Sequence, residues 1–387
     1  MGKKIIITGG GAIGCSIAYF LSLQLRPDVE IWVVEKDSSY QRSSSALSAS
    51  SIRQQFSTPV CIQLSQFGYE FLDSCERQKV RYGTGVDLVG CGYLFLGSAT
   101  QAGDLRRRTE LVKSLGGSVR EIAIDKLAQR YSWMSVEDLA YAVEGLAGEG
   151  WFDGYSLLQW YRKRALEAGV QFITGEVAGY HVAADRITHL ELSDGSRLCG
   201  DQFVIAAGAW SAALGNSLGV PLPVRARRRT VFVVSCPTAI SELPILIDTS
   251  GVYLRREQKH FLCTISPAPD LDFDDLPLQP NLEEFEEIIW PALAKRIPAF
   301  DALRVEHAWA GYYEYNTRDQ NGIVGRLGPR NSYVATGFSG HGLMHSPGVG
   351  RAVAELLTYG EYRSLDLSPL SPERFVSGDL LIETAVY

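Results

Sequence analysis

The chain opens on an unbroken apolar run, Ile5-Ile6-Ile7, closed by Thr8. Such a run without alternation is the pattern of a strand buried on both faces. Gly9-Gly10-Gly11 follows at once, then Ala12-Ile13-Gly14 and an apolar stretch with helical spacing. A second buried run, Ile31-Trp32-Val33-Val34, ends on Glu35. Further on, Leu64, Phe67, Phe71, Leu72 and Cys75 fall on one face of an amphipathic helix from about Pro59 to Arg77. Gly92 to Leu96 reads as a strand, and residues 101–116 as a charged surface helix stopped by Gly116-Gly117. Near Gly150 the pattern becomes α/β again. Asp153-Gly154 leads a helix to Ala168, and the strand Val170 to Ile173 follows. A hairpin then pairs Ile187–Leu192 with Ser196–Leu198 around Asp194-Gly195. Phe203-Val204-Ile205 is a strand that runs into Ala206-Ala207-Gly208-Ala209-Trp210. Pro221 to Tyr315 is strand-rich, with one helix near Leu282 to Ile297. Last come the strand Tyr333 to Thr336, the turn Gly337-Phe338-Ser339-Gly340-His341-Gly342 and a helix to about Tyr359.

The first 35 residues carry chemistry. Strand, glycine turn, helix, strand and terminal acid make the fingerprint of a dinucleotide-binding βαβ unit. Gly9 allows the tight turn, Gly11 lets a pyrophosphate approach the backbone, and Gly14 lets the helix pack close on the sheet. The helix N-terminus offers free N–H groups and a partial positive charge to phosphates. Glu35, 21 residues after Gly14, can accept from a ribose diol. The α/β pattern recurs at the start, middle and end of the chain, with two strand-rich insertions between. A single continuous nicotinamide domain has no need of that arrangement.

Composition narrows the field. The 387 residues suffice for two cores, and 46% hydrophobic with 21% charged residues is ordinary for a globular protein. A net charge of −7 argues against a nucleic-acid partner, and no apolar run is long enough to span a membrane. The cluster Arg225, Arg227, Arg228 and Arg229 reads as a solvated strand edge or a salt-bridged loop. Seven scattered cysteines with no Cys-x-x-Cys pair read as reduced core residues. With the first strand beginning at residue 5, the expected location is cytoplasmic, or the mitochondrial matrix where a presequence has been removed.

Four stretches together resemble the D-amino-acid oxidase superfamily of flavoproteins, which includes sarcosine oxidase, glycine oxidase and dimethylglycine dehydrogenase. They are the N-terminal unit with Glu35, the strand ending in Ala206 to Trp210, the Gly337 to Gly342 turn, and the Arg53 segment. Gln54 to Ser57, Glu149 to Asp153, Asp248 to Gly251, Ala310 to Thr317 and Asp319 to Gly322 further resemble one subgroup, mitochondrial FAD-dependent oxidoreductase domain-containing proteins linked to assembly of respiratory complex I. The resemblance covers nearly the whole chain. It implies an α/β fold: a discontinuous Rossmann-like FAD-binding domain (1–80, 150–220 and 318–366) and an α+β substrate domain with a large, mostly antiparallel sheet (81–149 and 221–317). Residues 367–387 form a C-terminal tail.

The same resemblance implies FAD contacts along the chain. They fall on Gly9, Gly11, Ala12, Ile13, Gly14, Glu35 and Lys36, on Ser43, Ser44 and Ser45, and on Val177, Ala207 and Gly208. Gly311, Gly337, Ser339, Gly340, His341, Gly342, Leu343 and Met344 complete the set, the last of these beside the flavin ring. There a helix dipole would stabilise an anionic reduced flavin. Departures from the family matter as well. Ser43 to Ser51 holds no His and the Gly311-Tyr312 region no Cys, the residues that tether FAD in relatives, so non-covalent FAD is expected. Arg255 or Arg256 stands where oxidases place an oxygen-activating Lys, which puts fast oxidase activity in doubt. Arg53 matches a carboxylate-binding Arg, but Met344 replaces its Lys partner.

The catalytic candidates are therefore Arg53, Tyr253, Arg255, Tyr313 and His341, with Tyr312 beside them. Arg53 could grip a carboxylate with its fork or serve as a structural Arg. The tyrosines face the ring or simply pack in a sheet. His341 polarises the flavin or braces the loop. The other five histidines show no ligand spacing, so no metal is expected. Two functions stay open. One is oxidation of the C–N bond of an amino acid or N-substituted amino acid by hydride transfer to flavin N5, followed by imine hydrolysis, with oxygen, a quinone or a protein as electron acceptor. The other is a flavin-containing assembly or scaffold protein with little amine turnover.

Overall fold

The computed structural model describes residues 3–24, 29–79 and 85–387. Its first sheet has six strands drawn from distant parts of the chain. Their order is Ile323–Arg326, Ser332–Thr336, Gln202–Ile205, Lys4–Thr8, Glu30–Glu35 and Gln171–Thr174. All neighbours are parallel except the edge strand Ile323–Arg326. Lys4–Thr8 is central, and its unbroken apolar run divides between two cores. Ile5 and Ile7 join one cluster and Ile6 another on the opposite face.

Helices Ala12–Gln24, Pro59–Arg77, Gly154–Glu167 and Gly342–Tyr359 cover the first face. The first and last of these cross closely. Ser16 donates to the Ser346 carbonyl at 2.7 Å, and a Cβ on Gly350 would overlap the Ser16 hydroxyl. Pro347 lies inside the Gly342–Tyr359 helix and has no N–H for the Leu343 carbonyl; the Ser346 hydroxyl donates to that carbonyl instead, at 2.9 Å. The second face is covered by a small antiparallel sheet of Val177–Ala183, Arg186–Leu192 and Arg197–Cys199. Tyr180 and Leu190 from it pack with Ile6 and Phe203.

The two insertions build one eight-stranded sheet. In order it runs Arg304–Asn316, Val224–Ser235, His260–Thr264, Tyr253–Glu257, Ile245–Ile247, Tyr93–Gly97, Tyr141–Gly145 and Val119–Glu121. Only the Ile245–Ile247 and Tyr93–Gly97 pair is parallel. Strand alternation sorts its faces: Leu94 and Leu96 enter a core with Phe232, Phe261 and Phe300, while Tyr93, Phe95 and Tyr253 face the first domain. The helix expected near Leu282 to Ile297 is a π-turn, Phe285–Ile289, followed by an α-helix, Trp290–Arg296. Pro291 sits at the junction, where its missing N–H breaks the regular ladder.

The last twenty residues pack firmly on the body. Buried Arg374 grips buried Asp319 with Nε to Oδ2 at 2.7 Å and Nη2 to Oδ1 at 3.0 Å. Buried Glu383 accepts from the backbone and hydroxyls of Ser57 and Thr58 at 2.5–3.1 Å.

Candidate active site

A long groove starts at the first glycine turn. Gly9 takes φ +101°, and a Cβ there would overlap the Ala206 carbonyl. A Cβ on Gly14 would overlap the Gly9 carbonyl oxygen, so the helix seats on the strand only without one. Gly14 therefore shapes the turn from beneath, whereas Gly9, Gly11, Ala12 and Ile13 line the groove itself. Glu35 and Lys36 follow from the second strand, Ser43, Ser44 and Ser45 from the hydroxyl-rich loop, Val177 from the small sheet, and Ala207 and Gly208 from the middle segment. Glu35 is held in place: Oε2 accepts from Gly10 N–H at 2.7 Å and Oε1 from Asp37 N–H at 2.9 Å. Ser45 Oγ accepts from Ala12 N–H at 3.0 Å, and Ser44 donates to the Tyr312 carbonyl at 2.6 Å. That last bond ties the loop to the second domain. Asp37, Tyr40, Arg42 and Trp210 also line the groove, and sequence reasoning missed them.

The groove continues into an inner chamber. Ala12, Ile13, Ser44, Ser45 and Glu314 border both. Arg53, Tyr253, Gly311, Tyr312, Tyr313, Gly340, His341, Gly342, Leu343 and Met344 line the chamber, and the long helix Gly342–Tyr359 begins at its wall. Gly340, at φ +94°, lies against the Tyr313 ring, where a Cβ would overlap it. Gly337 and Ser339 stand behind the wall. Gly337, at φ +73°, gives the turn its course, and Ser339 Oγ accepts from Asn316 N–H at 3.0 Å. These two residues and Gly14 shape the site without facing it.

Arg255 corrects the sequence reading. Its side chain is buried outside the chamber lining, lies over the Trp151 ring at 4.5 Å, pairs with Glu257 and donates to the Ala49 carbonyl at 3.3 Å. A buried guanidinium must find anions and acceptors, and this one finds Glu257 and the carbonyl of Ala49, a residue at the chamber's border. The basic cluster also divides. Arg227 and Arg229 are salt-bridged, but Arg229 is no edge residue. It is buried in the chamber wall, forks onto Asp272 at 2.7 and 2.8 Å and lies over the Tyr313 ring at 4.9 Å. The acidic stretch Asp270 to Asp275 was the available signal for its partner.

Arg53 is the charged centre of the chamber. It is buried, lies over Phe56 at 4.5 Å and Tyr387 at 5.3 Å, and gives its Nη2 to the Ala385 carbonyl and, at 3.3 Å, to His341 Nε2. Its Nε has no partner within the protein. His341 accepts from a permanent cation, and burial together with Arg53 holds its pKa well below the usual imidazole value. The ring is neutral. The Tyr253 phenol is pushed up to about 12 by burial, so it is also neutral, and its hydroxyl has no partner. Two carboxylates lie close by, Glu149 buried and Glu314 half-buried. Glu149 accepts from Gln54 N–H at 2.7 Å and Gln55 Nε2 at 3.0 Å, and Glu314 accepts from Gly337 N–H at 3.0 Å; burial raises each to about 7.

The C-terminal residues complete the site, and nothing in their sequence pattern announced it. Tyr387 lines the chamber, packs on Phe95 at 5.5 Å, accepts at its hydroxyl from Arg108 at 2.6 Å and at its carbonyl from Tyr313 at 3.0 Å.

The groove fits a flavin dinucleotide. Its floor is a glycine turn that side chains would fill, its far end offers a fixed carboxylate for a ribose, and its inner end is an aromatic chamber with unpaired polar atoms. A discontinuous βαβ dinucleotide site closed by a second sheet defines a two-domain flavoprotein oxidoreductase. The comparisons agree: residues 4–356 match the family model described as FAD dependent oxidoreductase (DAO), and the chain belongs to that family. It is 40% identical to FAD-dependent oxidoreductase domain-containing protein 1 of Xenopus laevis, over 98% of this chain and 84% of that protein. Among solved structures, an L-proline dehydrogenase from P. horikoshii superposes with a TM-score of 0.84 at 25% identity, covering 98% of this chain and 99% of its own. A glycine oxidase from Geobacillus kaustophilus gives 0.81 at 22% identity, covering 95% and 98%, and shares the fold. FAD is the cofactor.

Glu35→Ala should weaken FAD binding while the fold persists. A carboxylate accepting from a ribose diol contributes about 1.5–3 kcal/mol per charge-assisted bond. Dialysis of the holoprotein checks it, and FAD retention equal to the parent's would remove Glu35 from this role.

Proposed function

We propose that the protein oxidises the C–N bond of a carboxylate-bearing amine, an amino acid or N-substituted amino acid. Bound FAD supplies the hydride acceptor at N5. One observation carries the reading: a buried Arg53 whose Nε is unpartnered inside an aromatic chamber. A substrate carboxylate would take that N–H and the neutral Tyr253 hydroxyl, which fixes the α-carbon in place. His341 is not poised as a base, because its Nε2 already accepts from Arg53 and the guanidinium lowers its basicity. Apolar walls that disfavour ammonium favour an amine that arrives unprotonated. The Tyr312, Tyr313 and Tyr387 walls exclude water during transfer, and the imine product hydrolyses after release. Arg255 is turned to Glu257 and Arg229 is forked onto Asp272, so neither stands free to meet oxygen, which favours a quinone or a protein as electron acceptor.

The contacts of Ala385 and Tyr387 with Arg53 support a second reading, a flavin-containing assembly or scaffold protein whose chamber is closed. Anaerobic mixing of the holoprotein with a panel of amino acids and N-methyl amino acids separates the two. Bleaching of the flavin by at least one carboxylate-bearing amine is expected, with reoxidation by a quinone faster than by oxygen. A flavin that none of them reduces, yet dithionite does, supports the scaffold.

A further inference from the structure

We propose that His181, His189 and Glu191 form a binding site for a divalent transition metal, best suited to zinc, on the outer face of the small three-stranded sheet. The residues come from two strands of one hairpin. His181 and His189 are direct cross-strand partners, and Glu191 lies two residues on from His189, on the same face. One ligand atom from each of the three lies within 4.8 Å of the other two. The imidazoles stack at 4.3 Å with only 9° between their planes, and His181 Nε2 is 3.1 Å from Glu191 Oε2. Ligands of a tetrahedral zinc stand about 3.3 Å apart, given zinc–nitrogen distances near 2.0–2.1 Å. Binding would turn the imidazoles out of their stack so that both lone pairs meet one ion.

The hydrogen bonds of Thr188 set the tautomer of His189. A threonine hydroxyl has one hydrogen to give. Thr188 gives it to the His181 carbonyl at 3.1 Å. Its 3.0 Å contact with His189 Nδ1 must then receive the ring N–H. That leaves the Nε2 of a neutral His189 with a free lone pair, and this Nε2 is buried without any partner. A ring nitrogen held as N–H by a neighbouring oxygen, with the other nitrogen free, is the usual arrangement around a metal-bound histidine.

Two features bear on the rest of the coordination. Arg197 Nε lies 3.5 Å from Glu191 Oε2 on an exposed side chain that can swing into solvent. Cys199, exposed on the third strand, is the cross-strand partner of His189 but stands outside the three-ligand group, which leaves the fourth position to water. Sequence spacing hid the cluster, since only the hairpin register aligns residues 181 and 189. The site lies on the strand that begins with Val177 at the cofactor groove. Its effect would be a clamp across the hairpin rather than a part in amine oxidation.

Calorimetric titration of zinc into the FAD-loaded protein tests the proposal. One equivalent should bind, and the melting temperature should rise with it. His181→Gln, at a half-exposed position, should weaken binding tenfold or more, and Thr188→Val should weaken it by freeing the ring tautomer. No stoichiometric binding by the parent, or zinc affinity unchanged in both His181→Gln and His189→Ala, would overturn it.

Discussion

Arg53→Met should lower kcat/KM for a carboxylate-bearing amine by about 30- to 1000-fold, the equivalent of about 2–4 kcal/mol in transition-state binding. The loss should appear even in Arg53→Lys, because one ammonium cannot offer an N–H in the place of Nε while holding the Ala385 carbonyl and His341 as Nη2 does. Arg53 has a second duty in this structure. Its Nη2 holds the Ala385 carbonyl, and its plane lies over the Tyr387 ring. Removing it both deprives the substrate of a cation and loosens the C-terminal segment. Comparing a substrate with its amide separates the two effects. If Arg53 binds the carboxylate, the parent prefers the acid and the variant loses that preference. Equal losses on acid and amide would assign Arg53 to the C-terminal segment instead.

How much of this could be read in the chain depends on how local each signal is. The glycine turn, the two flanking strands and Glu35 lie within 35 residues and obey short-range rules, so they were legible, and the structure places them in one groove. The turn from Gly337 to Gly342 was legible for the same reason, although Gly337 and Ser339 prove to shape the wall rather than face it. Arg255 shows where local reading stops. Resemblance put Arg255 or Arg256 where oxidases place a Lys, but the place of Arg255 was decided by Glu257, Ala49 and Trp151. The pairing of Arg229 with Asp272, and the entry of Tyr387 and Ala385 beside Arg53, join residues far apart in sequence. No periodicity encodes them. Glu314 lay inside a stretch quoted for its resemblance, yet only the fold shows that it borders both groove and chamber.

Arg374→Met should destabilise the protein by about 3–5 kcal/mol, the usual cost of leaving one buried charge without its partner. Asp319 is fully buried, and Arg374 supplies it with two charge-assisted bonds while also donating to the Leu370 and Gly322 carbonyls at 2.6 and 3.0 Å. Asn316 Nδ2 and the Leu381 N–H also donate to the Asp319 carboxylate, at 2.6 and 3.1 Å, but neither carries charge. Adding Asp319→Asn should recover part of the loss, since the amide removes the stranded charge and its oxygen keeps an acceptor for one of the two donors. Denaturant unfolding of the three variants measures this. A shift under about 1 kcal/mol for Arg374→Met would mean that solvent reaches Asp319 and that the pair is not sealed. The same bonds reach the chamber. Leu381 and Glu383 are held through the Asp319 side chain and backbone, and four residues later the chain passes Tyr387 across Arg53. In folded Arg374→Met protein the C-terminal segment should therefore detach before the sheets unfold. Faster hydrogen exchange at residues 381–387 than in the Lys4–Thr8 strand is the expected signature.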